Sequence, residues 1–331
     1  NERRTIVNEI KKLEALEGEK KASTVDDIMK VRAFEEIEIS QSNGRTRAFM
    51  KIQDGCDRFC TYCIIPYARG GKVRSRDMES IINEAKTLAE NGYEEVVLTG
   101  IHVASYGKDL REENVTLLDV IKKINEIDGI KRIRTSSVEP ILFTDEFVNE
   151  VSKMEKVMPH YHLSLQSGCD ETLKRMNRRY TTAEYKAIVD KLREAIPNVA
   201  ITTDVIVGFP GETEEEFNET YNFLKDIELA QMHIFKYSPR KGTKAADMEN
   251  QVSPQIKHER SEKLIQLNKE NFERFASKMI GKEFDVLFEQ SVGENRYEGL
   301  TPNYLKTFVN CDEDICGKIL KVKITEVKDE Y

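Results

Sequence analysis

At 331 residues the chain has room for two domains, or for one large domain with an appendage. A hydrophobic content of 39% supports a real core, and no apolar run approaches the roughly 18–20 residues of a membrane span, so no membrane partner is expected. A formal net charge of −8 argues against nucleic-acid binding by bulk electrostatics and confines any such contact to local basic patches. The N-terminal stretch is charged throughout and shows no signal peptide; within it RRTIVNEIKKLEAL predicts a short helix. The residues up to 44 then read as a linker into a strand, with a turn at Asn43–Gly44.

From Arg47 to Tyr237 short apolar strands alternate with amphipathic helices. The strands are AFMKIQ, EVVLTG, IRTSS, HYHLSLQS, VAITTDVIVGF and QMHIFKY. The first intervening helix places Ile81, Ile82, Ala85, Leu88 and Ala89 at helical spacing, with Asp77 as N-cap and Gly92 as stop. Further helices follow at LLDVIKKINEI, after Thr144, near Thr181–Thr182, and after Thr213, where Thr213 and Glu216 form a capping box. Six strand–helix units imply an α/β fold with a parallel sheet and right-handed crossovers, short of the eight units of a full barrel. Active sites in such folds collect at the C-terminal ends of the strands. A polar connector after Tyr237 leads to a long helix from Pro254 to Met279, and the tail then alternates like the short strands of a small β-barrel.

The run IQDGCDRFCTYCIIPYARGGKVRSR follows the first strand, so it lies at that active end. It holds Cys56, Cys60 and Cys63 within eight residues, and Gly55 and Pro66 suit a tight loop around them. Ferredoxin clusters and structural zinc sites usually take four ligands. Three thiols with no His in the run suggest a cubane cluster with one iron open to a substrate or cofactor. A zinc site with a distant fourth ligand and three incidental cysteines are the other readings. Six cysteines, three of them clustered, point to a reducing compartment, the cytoplasm. Cys169 reads as a small packed residue, and Cys311 and Cys316 alone are an insufficient ligand set.

The run resembles the signature of the radical S-adenosylmethionine (SAM) enzymes, and CxxxCTYCIIPYARGG followed by RSR is similar to their methylthiotransferase branch. The resemblance implies a [4Fe-4S] cluster on Cys56, Cys60 and Cys63, with SAM at the fourth iron. It implies an open (β/α)6 partial TIM barrel over residues 45–279 and a TRAM-like RNA-binding β-barrel over 280–331. The tail carries more acidic than basic residues, so its RNA role rests on the resemblance alone. The family also implies a complete N-terminal domain bearing three more Cys for an auxiliary [4Fe-4S] cluster. No Cys precedes Cys56, so the chain is expected to be a fragment, with residues 1–44 as the remnant or linker of that domain.

The positions that line the SAM pocket in this family fall here on strand ends. Tyr62 is expected to meet the adenine; Glu139, Gln166 and Arg178 to make polar contacts with SAM; and Gly100, Ser137 and Gly208 to border the pocket. Each is also readable as a loop or capping residue, and His102 reads as structural. Asp204 stands where many family members carry a glycine. Two basic groups, Arg69, Lys72, Arg74 and Arg76, and Lys174, Arg175, Arg178 and Arg179, are candidate RNA patches or solvated faces.

The motifs LTGIHVASYGKD, RTSSVEP and LTPNYLK look most like the branch acting on N6-threonylcarbamoyladenosine at position 37 of tRNA, beside the anticodon. The alternatives are the isopentenyladenosine branch and the branch acting on ribosomal protein S12. Partners implied are the tRNA anticodon loop and an electron donor such as a flavodoxin, with no DNA. A non-catalytic, zinc-stabilised RNA-binding protein is the reading from another class.

Overall fold

The structure, a computed structural model, describes residues 27–36, 46–110 and 112–328, with a few positions between 8 and 15. The Asn43–Gly44 turn and most of the N-terminal predicted helix lie outside the described residues.

Strand β1 (Arg47–Asp54) shows how the barrel wall is specified. Ala48, Met50 and Ile52 are buried among the helices, so Arg47, Phe49 and Lys51 face the lumen on the other side. A two-residue strand, β2 (Arg74–Ser75), pairs antiparallel with the end of β1 and was not expected. Strands β3 (Glu95–Gly100) and β4 (Arg132–Thr135) continue the sheet in parallel. Strands β5 (His160–His162), β6 (Ala200–Val207) and β7 (Gln231–Lys236) form a second parallel set. Single parallel bridges, Ile133 to Val157 and Val138 to Leu163, join the two sets. Six parallel strands therefore stand side by side in chain order, open between β1 and β7.

The predicted fourth strand is shorter than HYHLSLQS. Beyond His162 the Leu165 N–H goes to the Thr203 hydroxyl (2.9 Å) instead of a backbone carbonyl, and Gln166 takes a φ of +74°. The Thr203 hydroxyl thus interrupts the ladder at Leu165, and a single parallel bridge from Gln166 to Val205 resumes it.

Helices α1 (Ile65–Ala68), α2 (Met78–Glu90), α3 (Leu117–Asn125), α4 (Asp145–Val151), α5 (Asp170–Arg175), α6 (Thr182–Ala195), α7 (Glu214–Ile227) and α8 (Pro254–Ser277) follow. Thr116–Asp119, Thr181–Glu184 and Thr213–Glu216 form reciprocal capping boxes that start α3, α6 and α7; each such cap contributes about 1 kcal/mol. Their apolar faces meet the outer face of the sheet in one core that includes Tyr185, Phe217 and Leu264. Among the described residues no helix is long and apolar enough to cross a membrane.

The tail folds as an antiparallel sheet of β8 (Glu283–Gly293), β9 (Arg296–Leu300), β10 (Lys306–Asn310) and β11 (Ile319–Lys323), in the order β10-β9-β8-β11. Val286, Phe288, Tyr297, Val309 and Val322, from all four strands, share one interior, so the sheet is curled. It docks on the N-terminal end of the barrel. There Glu95 is buried between Arg134 (2.7 Å) and Arg132 (3.3 Å), whose remaining donors reach the backbone carbonyls of Leu300, Thr301, Pro302 and Asp285. Tyr304 stacks on His160 with ring centroids 4.4 Å apart, and Arg47 pairs with Glu289 at 2.6 Å.

Candidate metal centre

The cysteine loop leaves β1 through Gly55, whose φ is +74°. A Cβ there would lie 1.8 Å from the Lys72 carbonyl, so only glycine lets the strap 70–74 close over the loop. The strap is braced from behind. Ser75 takes both oxygens of Asp109 (2.8 and 2.6 Å), and Tyr106 donates to the Arg76 carbonyl. The GIHVASYGKD segment is thus a buttress of the cysteine loop.

On the other side the loop is tied to the end of α5. Thr61 N–H donates to Met176 O, its hydroxyl to Arg175 O, and Asn177 Nδ2 to the carbonyls of Arg58 and Phe59. Neither α5 nor this tether was expected from sequence. All three thiols are half-buried and free of disulfides. Burial pushes the Cys56 thiol up to about 11, against the pull of the Arg58 amide, and burial likewise raises Cys63 against the Ile65 amide. Such thiols become thiolates when a bound cation supplies the missing charge.

Among the described residues no three Cys, His, Asp or Glu side chains converge to hold a single metal ion. Three half-buried thiols free of disulfides on one braced loop fit a cluster in which each thiolate takes a different iron.

Beside the loop sits a charged node. Glu139 has Arg58 Nε at 2.8 Å, His102 Nε2 at 2.9 Å and Arg178 Nη1 at 3.0 Å. Burial alone would raise this carboxyl; the His102 contact and the charges of Arg178 and Arg58 outweigh it and hold it down to about 2. Arg178 Nη1 also reaches Cys60 Sγ at 3.4 Å, and its Nε donates to the Tyr180 hydroxyl, so the node is continuous with the thiols. Sequence reasoning selected Glu139 and Arg178. It missed Arg58 and Tyr180 and set His102 aside as structural. Their partners are 81, 2 and 37 residues away, and only the position of Arg58 between two cysteines signalled a role.

The other expected contacts are placed as follows. The Tyr62 ring meets Phe209 edge-on at 6.4 Å, in a small cluster with Met176 and Tyr237. The Gln166 side-chain amide and the exposed Ser137 have no partner among the described residues. Gly100 is accounted for by packing, since a Cβ would meet Gln53 at 2.9 Å. At Gly208 the space a Cβ would occupy is taken by Lys257 of α8, 2.3 Å away. Cys169 is buried, as a small packed residue should be.

The basic groups need correction. Arg74 and Arg76 are only 3% and 1% exposed, paired with Asp54 and with Glu36 and Glu84. Arg175 pairs with Glu216, and Arg178 serves the node. Only Lys174 and Arg179 of the second group remain exposed. Proximity in sequence to the cluster loop reflected the need to brace it.

Residues 50–224 match the radical SAM superfamily, and residues 277–331 match the TRAM domain. The chain is 44% identical over 311 residues to "Threonylcarbamoyladenosine tRNA methylthiotransferase MtaB" of Bacillus subtilis (strain 168), covering 93% of this chain and 68% of that protein. It is also 44% identical over 300 residues to "tRNA-2-methylthio-N(6)-dimethylallyladenosine synthase" of Thermoanaerobacter pseudethanolicus, covering 89% and 62%. The chain thus spans roughly two thirds of the length of these relatives. In fold it is similar to coproporphyrinogen III oxidase (HemN) from Escherichia coli, a radical SAM enzyme, with a TM-score of 0.50 at 14% identity over 78% of this chain and 67% of that one. The chain belongs to the radical SAM superfamily and, within it, to the methylthiotransferases that end in a TRAM domain.

Proposed function

We propose that the protein is a tRNA methylthiotransferase that converts N6-threonylcarbamoyladenosine at position 37, in the anticodon loop, to its 2-methylthio derivative. The observation that carries the reading is the braced loop of Cys56, Cys60 and Cys63 continuous with the Arg178–Glu139 node. When bound, the cluster and SAM supply a one-electron cleavage that yields a radical able to remove hydrogen from an unactivated C–H bond, which acid–base residues cannot do.

The chain's own residues hold and orient. Arg178 sets its positive charge 3.4 Å from the Cys60 sulfur. Glu139, kept ionised by its cations, presents a fixed carboxylate to an ammonium group. The Gln166 amide and Ser137 hydroxyl offer unpaired polar groups at the same strand ends, and the Tyr62–Phe209 cluster offers an apolar wall against water. In this reading the auxiliary [4Fe-4S] cluster draws its thiolates from a domain upstream of Cys56, a flavodoxin-type donor supplies the electron, and the reaction takes place in the cytoplasm.

The substrate assignment is supported by the 44% likeness to the Bacillus subtilis protein. A second reading, dimethylallyladenosine as substrate, is favoured by relatives of equal identity. The test is anaerobic turnover of tRNA carrying one or the other nucleoside, with digestion and mass spectrometry. Methylthiolation of the threonylcarbamoyl tRNA is expected; methylthiolation of only the dimethylallyl tRNA would overturn the assignment.

A further inference from the structure

The lumen contains a group of polar and aromatic side chains that the metal centre does not use. Along β7 Met232 and Ile234 pack into the helix-facing core, so His233 and Phe235 face the lumen. Both are exposed, Phe235 by 53%. On β6 Ile201, Val205 and Val207 belong to the outer core, and Asp204 faces the same way as His233, its register partner. Phe235 is opposite Ile206, two residues closer to the C-terminal end and about 7 Å along the strand. That level is also the level of Gln166, whose carbonyl accepts from Ile206 N–H.

These groups are arranged but not saturated. His162 Nε2 lies 3.2 Å from Asp204 Oδ2, and its Nδ1 lies 3.0 Å from the Thr202 hydroxyl. The His162 and His233 rings stack at 5.6 Å. Among the described residues Asp204 Oδ1 and both ring nitrogens of His233 have no hydrogen-bond partner. An exposed aromatic ring beside one free acceptor and one free imidazole is the composition of a site for a planar heterocycle.

We propose that the β6–β7 wall of the lumen is a nucleobase site, in which Phe235 stacks on the target adenine while Asp204 and His233 bond its edge. The proposal rests on the RNA-modifying reading above. An N6-substituted adenine keeps one N6–H, which Asp204 Oδ1 accepts, and ring nitrogens that accept from His233. Guanine presents an oxygen where adenine presents that N–H, so Asp204 disfavours it. His162 is a positioning residue that fixes the Asp204 carboxylate. The base reaches this wall by leaving the stack of a single-stranded loop.

The chain has no tryptophan, which makes the test direct. Phe235→Trp keeps a stacking ring and introduces the sole indole. The reconstituted protein is titrated with a 5′-labelled anticodon stem-loop carrying N6-threonylcarbamoyladenosine, or an abasic residue at the same position. Label anisotropy reports binding, and indole fluorescence reports stacking. The expected result is binding of both RNAs, with indole emission quenched roughly twofold or more by the base-bearing RNA alone. In Asp204→Ala, the preference for adenine over guanine at that position falls by roughly tenfold. RNA that binds while leaving the indole unchanged overturns this site and leaves the function intact. No anisotropy change with either RNA overturns the RNA reading and the site with it.

Discussion

Both ends of the partial barrel hold a carboxylate between arginines, fully buried at Glu95 and partly buried at Glu139, and the two nodes differ in what else is nearby. At the N-terminal end Glu95 lies between Arg132 and Arg134, and their remaining donors terminate on carbonyls of the tail. Each strong group there is matched by protein, and the result is a joint between barrel and tail. At the C-terminal end Glu139 lies between Arg58, His102 and Arg178, beside three thiols, a free Gln166 amide and a free Ser137 hydroxyl. The same ion-pair chemistry fixes structure where it is saturated and prepares a site where neighbouring groups are left unmatched.

The largest separation of the two ends comes from replacing Cys56, Cys60 and Cys63 together by Ala. Iron and sulfide binding on reconstitution should be lost entirely, while the thermal melt of the apo-protein stays within a few degrees of wild type. A collapse of the melt would mean that the thiols are structural. Next, Glu95→Ala leaves two buried arginines unpaired and should cost about 3–5 kcal/mol in denaturant unfolding. Cluster loading in the folded fraction should be unchanged, because the joint lies at the far end of the strands.

Glu139→Gln sharpens the comparison through pH. The Glu139 carboxyl is held at about 2, below its ordinary 4.5, so its ionised form contributes about 3 kcal/mol of stability. For a depressed carboxyl that contribution is full above pH 4.5 and disappears as the pH falls towards 2. Wild type and variant should therefore differ most at neutral pH and converge in acid, as followed by urea midpoints. A pH-independent gap would remove the charge from the explanation. The smallest effect is expected for Tyr304→Ala, which removes the ring stack on His160, the Arg134 and Arg47 contacts and the exposed hydrogen bond from Arg47, for about 1–2 kcal/mol. Proteolysis between α8 and β8 should become faster in that variant if the stack helps hold the tail.

The barrel was legible because its signals are local. Alternation in AFMKIQ and the Thr213–Glu216 box each express themselves within about ten residues, and each reads the same way in the folded chain. The partners of the metal centre were less legible, because pairing across the barrel leaves no trace in neighbouring residues. Arg58 and Glu139 are far apart in sequence, and nothing beside Arg76 announces that it is buried against Glu84. The packing at two glycines was hidden for a related reason: a Cβ at Gly100 would meet Gln53, and Gly208, at a φ of +70°, lies against Lys257, neighbours visible only when distant elements pack.

The most direct measurement is of 5′-deoxyadenosine produced under anaerobic conditions from SAM and a reductant, by protein reconstituted with iron and sulfide. The prediction is product from the wild type, with several irons and sulfides per chain, and none from the triple cysteine variant. A wild-type protein that binds zinc without sulfide, or yields equal product from both proteins, would contradict a cluster held by Cys56, Cys60 and Cys63.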